Sequence, residues 1–128
     1  MTDSHHLATC NDALLIVLRH PPHGSSWLRE GIDVALVTAA FGREVELLFQ
    51  GDGVFALLEN QTTGALGQKG THPQLMMLEM YDIERLWVSR TALTERGLTT
   101  DDLMLPVSVL DSDEIAALHA AHASSLIF

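Results

Sequence analysis

With 128 residues, 47% of them hydrophobic and 19% charged, the chain has the size and composition of one globular domain with a single core. Its 17 acidic and 7 basic residues leave a net charge of −10, and Lys69 is the only lysine. The phosphates of a nucleic acid are neutralised by Lys and Arg, so this balance argues against direct nucleic-acid binding. No apolar run approaches the ~20 residues that span a bilayer, and "MTDSHHLATCND" lacks the basic start and apolar centre of a signal peptide. Residues 1–12 are therefore read as a flexible tail on a cytoplasmic protein without a membrane partner. The single cysteine, Cys10, agrees with a reducing compartment.

"ALLIVLRH", Ala13 to His20, predicts a buried strand, and the Pro and Gly of "PPHGSS" predict the loop that follows it. The spacing from Trp27 to Phe41 predicts a helix with Trp27, Gly31, Val34, Ala35 and Thr38 on its apolar face, and Leu28, Ile32 and Ala39 alongside. Ser25 or Ser26 is available to cap it, and Gly42 stands where it should stop. "EVELLF", Glu44 to Phe49, predicts a second strand, and Val54 to Leu58 a short helical segment. "NQTTGALGQKGTHP" reads as a long exposed loop. Gln74 to Met80 then reads as a helix opened by Pro73. Its Met76, Met77 and Met80 suit either adaptable contacts or core filling.

Ile83 to Val88 predicts a third strand, followed by one or two helical turns from Ala92 to Arg96. Met104 to Leu110 predicts a fourth strand, placed at an edge by Pro106. Asp111 and Glu114 match a capping box for a helix carrying Ile115, Leu118, His119 and His122, and "SLIF" predicts a fifth strand. Strands alternating with helices imply one α/β domain over residues 13–128. The expected architecture is a three-layer sandwich, a mostly parallel sheet of about five strands with helices on both faces.

The carboxyl end of a strand is where α/β proteins place their chemistry, and this directs attention to Ser89. Its neighbour is Arg90 rather than an obvious base, and a serine hydroxyl is a weak nucleophile without one. His20 and His23 fall in the loop after the first strand, where a metal would need further converging ligands. His119 and His122 share a helix face, which suits a ligand pair and equally an amphipathic helix end. Cys10 has no helix terminus or basic residue nearby to activate its thiol. "QGDGVF" is read as a turn, because Asp52 would repel a phosphate.

The segments "PHGSSWLREGIDVALVTAAF", "LLFQGDGVFALLENQ" and "YDIERLWVSRTALTERGLTTDDL" together resemble the DsrE/DsrF/DsrH sulfur-relay family, in its DsrF/TusC branch. The resemblance runs in order from about Ala13 to Phe128. It implies a heterohexamer with two sister subunits, one DsrE/TusD-like and one DsrH/TusB-like. Such an assembly passes persulfide sulfur to a sulfur-carrier protein, serving either intracellular sulfur oxidation or tRNA 2-thiouridine synthesis. It also implies that the relay cysteine of the sister lies near the end of the strand matching "ERLWV", where this chain has Ser89. Ser89 is then a vacated relay position, and the chain a non-catalytic docking subunit without cofactor or metal. Arg90, His20 and His23 are the residues available there for contact with a partner or an anion. The alternatives are a stand-alone sulfur carrier using Cys10, and a small-molecule or metal-binding module using His20 and His23.

Overall fold

The computed structural model describes residues 13–58 and 72–128. The expected tail with Cys10, and most of the expected loop with Lys69, lie outside the described residues. Five strands form one sheet: β1 (Leu14–Leu18), β2 (Val45–Phe49), β3 (Arg85–Ser89), β4 (Ser108–Leu110) and β5 (Ser124–Ile127). Their order is β4-β3-β2-β1-β5, and every neighbouring pair is parallel. The sandwich architecture expected from the alternating pattern is therefore the one observed. All five residues of β1 and of β2 are buried. Parallel strands covered on both faces need this run of apolar side chains instead of an alternation.

Between the strands lie α1 (Trp27–Ala40), α2 (His72–Met80), α3 (Arg90–Glu95) and α4 (Ser112–Ala121), with 3-10 turns at Gly51–Leu57 and Thr100–Asp102. The first three crossovers advance from β1 toward β4, and the last returns to the far side of β1. Right-handed crossovers then put α1, α2 and α3 on one face and α4 on the other. The two cores follow that division. One packs Ile16, Leu18, Leu47, Phe49 and Val88 against Leu28, Ile32, Leu75 and Leu93. The other consists of Leu15, Val17, Leu48 and Leu118, with Trp87, Leu110 and Ile115 partly covering it.

Several boundaries differ from the sequence expectation. The fourth strand is only Ser108–Leu110, because Pro106 cannot donate to the ladder; as expected, it lies at an edge. The third begins at Arg85 and reaches Ser89, since Asp82 and the two residues after it complete the turn out of α2. Asp82 takes φ 61 there, with Ile83 N–H donating to Leu78 O at 2.9 Å. The buried face of α1 is Leu28, Gly31, Ile32, Ala35 and Leu36, so it is rotated away from Trp27, which is 50% exposed. Ser26 precedes α1 without capping it through its side chain; instead its hydroxyl donates to Glu30 Oε2 at 2.8 Å. In α2, Leu75 and Leu78 fill the core while Met76 and Met80 face outward.

Two glycines set how closely the layers approach. A Cβ on Gly31 would lie 2.4 Å from Leu18 Cδ2, so α1 sits directly on β1. A Cβ on Gly53 would lie 2.1 Å from Leu18 O, a backbone atom that cannot swing aside. The turn after β2 is thereby drawn over the carboxyl end of β1.

Candidate functional site at the carboxyl edge of the sheet

Ser89 ends β3 and is the N-cap of α3, in extended backbone with φ −72 and ψ 124. It is 6% exposed, and its Oγ accepts a hydrogen bond from Ala92 N–H at 3.2 Å. The hydroxyl therefore satisfies one of the amide donors that a helix start leaves unpaired. Arg90, the next residue, is exposed, and among the described residues its guanidinium has no hydrogen bond or ion pair. The strand end thus presents a buried, committed oxygen beside an exposed cation.

Arg96 joins this helix to the turn after β2. Its Nε and Nη2 donate to Asp52 Oδ1 at 3.1 and 2.8 Å, and Nη1 donates to Ala92 O at 3.1 Å. Its Cζ also stands 5.7 Å from the centroid of the Phe55 ring. "QGDGVF" and "RTALTERGL" are therefore one structural unit: Asp52 carries an arginine, and the turn reading of that segment holds.

The histidines go elsewhere. His20 is half-buried and stacks on Trp27, with ring centroids 5.5 Å apart, and its Nδ1 is buried without a partner among the described residues. His23 is exposed in the loop beyond. Among the described residues no three His, Cys, Asp or Glu side chains converge as a metal site would require. His119 and His122 do not act as a pair. His122 ends α4, is 8% exposed, and its Nδ1 meets Leu118 O at 2.8 Å. A carbonyl only accepts, so Nδ1 carries the proton. The other ring nitrogen, Nε2, stands 3.2 Å from Glu46 Oε2, an ion-pair distance without good hydrogen-bond alignment.

Glu46 is the residue that sequence reasoning passed over. It is 3% exposed on the α4 side of the sheet, and its Oε1 accepts from Trp87 Nε1–H at 2.9 Å. The signal was present: a carboxylate inside "VELLF" cannot be buried unless something pairs with it. No spacing along the chain points to His122 or Trp87 as that partner.

The DsrE/DsrF-like family matches residues 12–127. The chain belongs to the DsrE/DsrF-like family. A TusC homologue of Vibrio vulnificus (strain CMCP6) is 35% identical over 115 residues, covering 90% of this chain and 98% of that protein. The intracellular sulfur oxidation protein DsrF of Allochromatium vinosum is 40% identical over 86 residues, covering 67% of this chain and 63% of that protein. Among solved structures, the ychN protein from E. coli superposes with a TM-score of 0.79 at 22% identity, covering 91% of this chain and 99% of that one. That likeness establishes the fold. In this DsrE/DsrF-like chain no helix among the described residues is long and apolar enough to cross a membrane.

Proposed function

We propose that this chain is a docking subunit of a cytoplasmic sulfur-relay complex, with the persulfide carried by sister subunits. The observation that carries the reading is Ser89, whose oxygen is buried and engaged as a helix cap at the strand end. Relay requires an acceptor thiolate to attack the outer sulfur of a donor persulfide. The donor thiolate leaves, and the acceptor becomes the new persulfide. A capping hydroxyl supplies no such thiolate, so the residue serves α3 rather than the transfer. Family membership and the names of the TusC and DsrF relatives support the relay setting. The exposed Phe41, Met76 and Met80 supply apolar surface of the kind subunit contacts use.

In this reading the partners are a DsrE/TusD-like and a DsrH/TusB-like subunit in a heterohexamer, and the exposed Arg90 meets a partner's acidic group. The pathway served is sulfur oxidation or tRNA thiolation. Reconstitution with those two sister proteins and labelled persulfide provides the test. The chain alone should transfer no sulfur. Ser89→Ala should leave flux through the complex unchanged while lowering stability by about 1 kcal/mol, the worth of a serine cap. Transfer by the isolated chain that is abolished in Cys10→Ala would replace this reading with the stand-alone carrier.

A further inference from the structure

The α4 side of the sheet holds a buried polar network that the relay reading leaves without a task. Glu46 accepts from Trp87 Nε1–H through one oxygen and faces His122 Nε2 with the other. Taking two ionisable groups out of water is costly, and apolar residues of similar volume often do as well or better for stability. What the network does toward the surface is to hold the N–H edge of a half-buried indole.

That indole walls a shallow cavity of about 400 Å3, open to solvent, at the amino end of β3 and β4, where Arg85, Pro106 and Ser108 also line it. Its volume lies within the range of small-molecule sites. Arg85 is exposed, and among the described residues it makes no hydrogen bond or ion pair. The cavity lies at the opposite end of the strands from Ser89, so it is separate from the strand-end site described above.

We infer that this cavity binds a small planar monocarboxylate, its ring against the Trp87 indole and its carboxylate on the Arg85 guanidinium. A guanidinium pairs a carboxylate through two parallel N–H donors, and an indole whose N–H is already held by Glu46 offers aromatic surface at little entropic cost. Glu84, also on the lining, opposes a second negative group, which restricts the class to monoanions.

Trp27→Phe leaves Trp87 as the sole tryptophan, since the chain has 2. Benzoate is the probe, and benzylamine, with the same ring and opposite charge, is the control. Benzoate should change Trp87 fluorescence saturably and shift its indole N–H resonance. The midpoint should be about 10 mM, the range open to a ligand of about nine non-hydrogen atoms. Arg85→Gln should weaken this by about fivefold or more, as expected for loss of a charge-assisted pair. A non-saturable response by both measurements, equal affinity in Arg85→Gln, or tighter binding of benzylamine would each overturn the assignment.

Discussion

Glu46 sits in a strand whose other members, Val45, Leu47, Leu48 and Phe49, are all apolar and buried. It is tolerated because both carboxylate oxygens face partners, the Trp87 indole N–H and the His122 ring. The bond between His122 Nδ1 and Leu118 O orients the ring so that Nε2 faces Glu46. A glutamine of the same shape would still serve both neighbours: its oxygen accepts from the indole, and its amide can donate to Nε2. Glu46→Gln should therefore cost less than about 1 kcal/mol in denaturant unfolding. Glu46→Leu, which strands the indole N–H and the imidazole, should cost about 3 kcal/mol. Equal losses in the two variants would show that charge, not hydrogen bonding, holds the network together.

At the scale of elements, the turn after β2 is positioned by close approach and by Arg96. Gly53 lies where a Cβ would be 2.1 Å from Leu18 O, while Arg96 ties Asp52 to α3. The ion pair is partly exposed, at 21% and 52% for the two side chains, and such pairs contribute little by themselves. The glycine is the stricter constraint. Gly53→Ala should destabilise by about 3 kcal/mol, because the carboxyl end of β1 must shift to admit a methyl group. Arg96→Ala should lose about 1 kcal/mol or less. A calorimetric comparison of the two variants checks the order; a larger loss for Arg96→Ala would reverse this account of what holds the turn.

The whole molecule is unevenly built. The face under α1, α2 and α3 carries the extensive core, whereas α4 rests on Leu15, Val17 and Leu48 through Leu118, with the Glu46–His122 contact at its end. β5 follows α4 and is exposed over most of its length. Elements with few buried apolar contacts open first. Amide hydrogen exchange should therefore run about tenfold or more faster in α4 and β5 than in β1, β2 and β3. Uniform protection across the sheet would show that the two layers unfold as one unit.

Much of this was legible in the chain. The buried parallel strands follow from "LLIVL" and "VELLF", and the start of α4 from the Asp111 and Glu114 capping box, whose reciprocal bonds form at 2.9 and 3.0 Å. These are local matters, decided by the periodicity of apolar residues and by side chains three positions apart. Ser89 could likewise be placed at a strand end from its neighbours alone. Its commitment as a cap depended on where α3 begins, two residues earlier than the apolar spacing implied. Tertiary structure alone decided the rest: that Glu46, Trp87 and His122 meet, that Arg96 reaches Asp52, and that Gly53 abuts Leu18. Those partners are brought together only when the crossovers stack β1, β2 and β3 and send α4 to the opposite face. Contacts of that range depend on where whole elements pack, which no local pattern encodes.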